Sequence, residues 1–104
     1  MSSHFKIVVP FYNVERWIKA TINSIVAQDY ENYECVLIDD LSTDKSYEIA
    51  KICIDGDPRF KILSNKSKMY ALGNTAQGIE FLKPDPEDVL MVLDGDDWFS
   101  NQSV

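Results

Sequence analysis

Four short apolar runs, each closed by a polar turn and separated by helical patterns, constrain this chain most tightly. Phe5 to Val9 is β-branched and halted by Pro10, and Glu34 to Ile38 ends in Asp39-Asp40. Phe60 to Leu63 is a shorter run, and Asp88 to Leu93 breaks into Asp94-Gly-Asp-Asp97. Apolar runs of this length between turn residues read as strands, the first of them buried. Four strands joined by three crossover helices predict a right-handed, mostly parallel four-stranded α/β sheet flanked by helices.

The intervening segments carry the helix signal. Asn13 is placed to cap a helix whose apolar stripe is Val14, Ile18, Ile22, Ile25 and Val26. Ser42 or Thr43 caps a second, with Ile49, Ala50 and Cys53 inward and Asp44 complementing the positive end of its dipole. Met69 to Lys83 is the third, with Leu72, Ala76, Ile79 and Leu82 as its stripe. Gly73 and Gly78 each cost that helix about 1 kcal/mol relative to Ala, which implies close packing or a functional approach. Asp55-Gly-Asp-Pro58 reads as a turn, and Lys83-Pro-Asp-Pro86 stops the third helix. No repeat, linker or low-complexity tract divides the 104 residues, so 1–104 is expected to be a single domain.

Composition removes several classes of function. A net charge of −7 and the lack of basic patches exclude a nucleic-acid-binding surface. No apolar run is long enough to span a bilayer, and Met1 to Lys6 lacks a signal peptide's apolar stretch. Cys35 and Cys53 form no CxxC or Cys/His cluster, which fits buried, reduced thiols in a cytoplasmic protein. His4 is expected at the surface.

Asp94, Asp96 and Asp97 carry the strongest chemical signal. Three acids at the lip of an apolar strand repel one another unless a cation neutralises them. Hard oxygen ligands at this spacing suit Mg²⁺ or Mn²⁺, which bind through one or two carboxylates while a substrate phosphate fills other positions. The competing reading is a solvated acidic turn. An EF-hand loop fails, because Trp98 stands at its third side-chain ligand position and Phe99 where it needs Gly. Ligands of parallel α/β sheets gather at the carboxyl ends of the strands. Pro10-Phe-Tyr-Asn13, Asp39-Asp40 and Asp94-Gly-Asp-Asp97 all follow strands, and are therefore expected on one rim as a pocket.

Ile7-Val-Val-Pro-Phe-Tyr-Asn13, Ser24-Ile-Val-Ala-Gln-Asp-Tyr30, Val36-Leu-Ile-Asp-Asp-Leu-Ser-Thr-Asp44 and Leu93-Asp-Gly-Asp-Asp97 occur in that order over nearly the whole chain. Together they resemble the family 2 glycosyltransferases of the Rossmann-like GT-A fold. That resemblance implies a nucleotide-sugar donor, most often a UDP-sugar, a carbohydrate or glycoconjugate acceptor, and inversion at the anomeric carbon. It implies that Pro10, Phe11, Tyr12 and Asn13 line the nucleotide pocket, with packing alone as the alternative for the two aromatics. It also implies that Asp40, with Asp39, accepts a hydrogen bond from the base; uracil N3–H is a donor and an ionised carboxylate only accepts. Helix-approach capping is the alternative for these two acids. Asp94 and Asp96 match the Asp-x-Asp pair, whereas some members use the equivalents of Asp96 and Asp97 for ribose and metal. Asp94 is therefore a candidate for both nucleotide and metal. The metal, Mn²⁺ or Mg²⁺, bridges the pyrophosphate as a Lewis acid. Lys68 is either a pyrophosphate contact or a solvated side chain.

Two departures stand out. Many members carry Arg-Asn-x-Gly in the third helix, where this chain has Thr75-Ala-Gln-Gly78 and an upstream Asn74. The acceptor-binding half, which supplies the general base of an inverting displacement, has no counterpart in these residues. The expectation is a donor-binding domain incomplete for catalysis alone, completed by a missing second half or a homo-oligomer. The alternative is a non-catalytic nucleotide-binding or interaction module of the same fold. A receiver-like phosphoryl-transfer domain would need an acid pair after strand one, and a sugar nucleotidyltransferase a glycine-rich loop there. Neither is present.

Overall fold

The computed structural model describes residues 5–27 and 32–93. The strands are β1 (Phe5–Phe11), β2 (Tyr33–Asp39), β3 (Phe60–Ser64) and β4 (Val89–Val92). Between them lie α1 (Ile18–Val26), α2 (Ser46–Cys53) and α3 (Tyr70–Leu82). The sheet has the order β3-β2-β1-β4 and every neighbouring pair is parallel, as the strand–helix alternation predicts.

Alternating residues of the central strands face opposite layers. Ile7, Val9, Phe11, Cys35 and Leu37 pack in a cluster with Ile18, Ile22 and Ile25 of α1 and Ala50 of α2. Val8, Val36 and Ile38 form the second cluster, covered by Leu63 and by Leu82 of α3. Cys35 is buried and Cys53 half-buried, both as free thiols.

Pro10 does not halt β1. The strand continues to Phe11, and Pro10 pairs in register with Ile38. A proline is tolerated mid-strand where its missing N–H faces no partner. Leu93 donates its N–H to Val8 O and Asp40 donates to Phe11 O, so even-numbered residues of β1 face β4 and odd-numbered ones face β2. Pro10 thus turns its donor-less nitrogen toward β4, and the β1–β4 ladder ends at Val8. Among the described residues, Pro10 therefore has no N–H to continue this ladder. This is also where the strand order reverses, since β2 and β3 lie to one side of β1 and β4 to the other. Crevices for ligands form at such switch points.

Three helical expectations are corrected. Asn13 does not cap α1; it adopts φ 52° and α1 begins at Ile18, with Val14 buried before it and Val26 exposed. Neither Ser42 nor Thr43 caps α2, which starts at Ser46, whose N–H donates to Asp44 Oδ1 at 2.9 Å. The predicted stripe of α3 holds only in its second half: Leu82 packs on the sheet and Ile79 is half-buried, but Leu72 is 85% exposed and Ala76 is exposed as well, while Asn74 and Gly78 are buried. Gly78 explains the close approach. A Cβ there would lie 2.5 Å from Val8 Cγ1, so α3 rests on β1 at a distance only glycine allows.

Candidate functional site

The loops leaving β1 and β2 are bound together by a ladder of hydrogen bonds. Asn13 N–H donates to Ser42 Oγ at 3.0 Å, and Asn13 Oδ1 accepts from Thr43 N–H at 2.7 Å. Val14 N–H donates to the buried Ser46 Oγ at 2.7 Å, and Glu15 N–H to Asp44 Oδ2 at 3.2 Å. Glu15 Oε1 accepts from Lys45 N–H at 3.0 Å. Burial alone pushes the Asp44 carboxyl up, but the Ser46 hydroxyl and the Ser46 and Glu15 N–H groups hold it below the ordinary range. These bonds use the Ser/Thr/Asp-rich segment to fix one loop against the other instead of capping a helix.

Asp39 and Asp40 are both buried at the end of β2. Asp39 Oδ1 accepts Ser42 N–H at 3.0 Å, closing the turn in which Leu41 takes φ 65°. Asp40 is 3% exposed and is the hub of the site. Its Oδ1 accepts Met69 N–H at 2.8 Å and Asn65 Nδ2 at 3.0 Å, and its Oδ2 accepts Tyr70 N–H at 2.8 Å. Asn65 Nδ2 also donates to Asn74 Oδ1 at 2.7 Å. Burial raises the Asp40 carboxyl, yet hydrogen bonds from Met69, Asn65, Tyr70 and Asn74 outweigh it and hold the pKa at about 2. The carboxylate thus stays charged and satisfies the orphan N–H groups at the start of α3.

Above Asp40 lie Lys68 and Tyr12. Lys68 is not a solvated lysine: Nζ stands 3.5 Å from Asp40 Oδ2 and 3.0 Å from the Tyr12 ring centroid. Tyr12 is 45% exposed, whereas Pro10 and Phe11 are buried, Phe11 within the core cluster. Asn13, Leu41 and Tyr70 all hold positive φ around this rim. Non-glycine residues in that region cost of order 1–3 kcal/mol each and cluster at ligand sites.

The structure therefore brings Tyr12, Asn13, Asp39, Asp40 and Lys68 to one rim at the carboxyl end of the sheet. Asp94, Asp96 and Asp97 lie outside the described residues; Leu93, the residue before them, is held to β1. Among the described residues no three acids, histidines or cysteines are grouped to hold a metal. Sequence reasoning missed Asn65, and it noted Asn74 only as a shifted motif residue, not as a member of the Asp40 network. The carboxyl-end rule, applied to Ser64-Asn65 after β3, would have marked the first. A polar residue four positions before Gly78 on α3 would have marked the second.

A family model described as glycosyl transferase family 2 matches residues 6–104. An uncharacterized glycosyltransferase of Haemophilus influenzae is 36% identical over 98 residues, covering 94% of this chain and 38% of the relative. The UDP-Glc:alpha-D-GlcNAc-diphosphoundecaprenol beta-1,3-glucosyltransferase WfgD of Escherichia coli is 35% identical over 97 residues, covering 92% of this chain and 36% of its own. Mannosyltransferase PcManGT from Pyrobaculum calidifontis, solved with GDP-Man and Mn²⁺, superposes with TM-score 0.85 over 99% of this chain and 30% of that one. At 17% identity it attests the fold alone. The chain spans between 14% and 38% of the length of the first curated relatives it matches.

Proposed function

The chain belongs to glycosyl transferase family 2, and from that premise we propose that it is the donor-binding region of a glycosyltransferase using a nucleotide-sugar. The observation that carries the reading is the convergence of Tyr12 and Asp40 on Lys68 at the carboxyl rim of the sheet. A base stacks on Tyr12, with Pro10, Phe11 and Asn13 shaping the wall, and turns its imide N–H toward Asp40. Oδ2 of Asp40, which accepts Tyr70 N–H and stands 3.5 Å from Lys68 Nζ, is the oxygen offered to the base. Asp39 supports the site by closing the 39–42 turn. The donor is a UDP-sugar, the donor class named for the Escherichia coli relative WfgD.

Asp94, Asp96 and Asp97 form an all-carboxylate donor set directly after Leu93, and such a set fits a hard divalent ion, Mn²⁺ or Mg²⁺. When bound, that ion offsets charge on the leaving nucleoside diphosphate. Transfer to a carbohydrate or glycoconjugate acceptor proceeds with inversion and requires a general base from beyond these residues, in a second half or a partner copy. No described helix is long and apolar enough to cross a membrane. A cytoplasmic location, where Cys35 and Cys53 stay reduced, goes with the proposal.

The alternative, a non-catalytic interaction module of this fold, is favoured by one feature. Val89, Leu90 and Val92 of the edge strand β4 and Leu72 of α3 are exposed. A thermal-shift panel of nucleoside diphosphates with and without Mn²⁺ separates the two. The donor-binding reading expects stabilisation selective for UDP and enhanced by Mn²⁺, with the enhancement lost in D96A. Folded protein unmoved by every nucleotide contradicts it.

A further inference from the structure

Lys68 stands where Tyr12 and Asp40 converge. Its Nζ is 3.0 Å from the Tyr12 ring centroid and 3.5 Å from Asp40 Oδ2. It donates to the Asp40 carbonyl at 3.3 Å and lies 5.6 Å from the Tyr70 ring centroid. The side chain is 29% exposed, so the cation is drawn inward by a ring quadrupole and a buried carboxylate together. A planar base on Tyr12 would lie about 3.5 Å above the ring, at ordinary carbon–carbon contact. The ammonium fills that layer, beside the carboxylate that the edge of the base would seek.

We propose that Lys68 is a displaceable occupant of the base slot: nucleobase and ammonium compete for the same contacts with Tyr12 and Asp40. The inference rests on the donor-site reading above. The measured affinity for a base is then the affinity left after the lysine has been expelled. A nucleoside gains nothing from the released cation. A nucleoside diphosphate recovers part of the loss, because the ammonium is then free to meet a phosphate oxygen. Lys68 thereby tilts the site against ligands that carry a base and no phosphate.

The test is calorimetry of the protein and its K68M and K68R variants with uridine and with UDP, the folded state of each checked by thermal melting. Methionine keeps the stem length without the charge, whereas arginine keeps a cation on the ring. K68M is expected to bind uridine about five- to thirty-fold more tightly than wild type, with a smaller gain for UDP. K68R is expected to stay within about twofold of wild type for uridine. Equal or weaker uridine binding by K68M, in a protein whose wild type binds UDP, overturns the displacement and leaves the donor-site reading standing. Binding of neither ligand by folded wild type overturns both.

Discussion

Replacing Asp40 by asparagine isolates the group on which the site is built. The asparagine oxygen can keep the two partners of Oδ1, Met69 N–H and Asn65 Nδ2, but its NH₂ then faces Tyr70 N–H where Oδ2 accepted. One buried N–H is orphaned, at about 1–3 kcal/mol, and the surviving bonds lose their charge assistance. The titration offers an independent measure. A carboxyl held at about 2 against an ordinary 3.8 corresponds to about 2 kcal/mol of folded-state preference for the ionised form. D40N should therefore lose about 2–3 kcal/mol at pH 7, or roughly 10 °C or more in Tm for a domain of this size. The folded pKa is depressed, so this contribution is fully present above about pH 4 and is lost as the pH falls through about 2. Urea unfolding of both proteins from pH 7 to pH 2 should show their stabilities converge at the acid end. A loss below about 0.5 kcal/mol at pH 7 would refute the hub assignment. So would a difference independent of pH.

Two further substitutions test how the surrounding elements are held. In G78A the new methyl lies 2.5 and 2.8 Å from the Val8 methyls, and overpacking of about 1–3 kcal/mol should outweigh the gain in helix propensity. G73A, whose nearest neighbour is Met69 Cβ in the adjoining turn at 3.3 Å, should be neutral or stabilising by up to about 1 kcal/mol in the same thermal melts. N13A removes the side-chain bonds to Thr43 and places alanine at φ 52°, for an expected loss of about 2 kcal/mol by chemical denaturation. N13G relieves the backbone and should recover part of that loss, leaving the hydrogen-bond share exposed.

The architecture was legible because strand and helix periods alternate without conflict. Strand bounds moved by at most two residues, and the largest error, at Pro10, came from treating a proline as a stop regardless of which neighbour its nitrogen faces. Helix starts were less legible. Asn13, Ser42 and Thr43 have the residue types that cap helices, and the same donors and acceptors serve equally well to tie two loops together. Only the tertiary fold decides between those uses. The first half of the α3 stripe was misread for a related reason: Leu72 and Ala76 score as apolar, while the helix is oriented by Asn74 in the polar network and by Gly78 against Val8. At the site, the carboxyl-end rule placed Tyr12, Asn13, Asp39 and Asp40 together on one rim. The network that keeps Asp40 charged was legible only in its Asn65 and Asn74 side chains; its other donors are backbone groups of residues 69 and 70, which no side-chain motif encodes.

The central claim is that a nucleoside diphosphate binds at the carboxyl rim of the sheet. Amide chemical-shift mapping in ¹⁵N-labelled protein titrated with UDP and Mg²⁺ tests it most directly. The account predicts that shifts concentrate at Tyr12, Asn13, Asp40, Leu41, Lys68 and Tyr70. Shifts confined to the groove at the opposite end of the sheet, lined by Lys51, Ile54, Gly56 and Lys61, would contradict it.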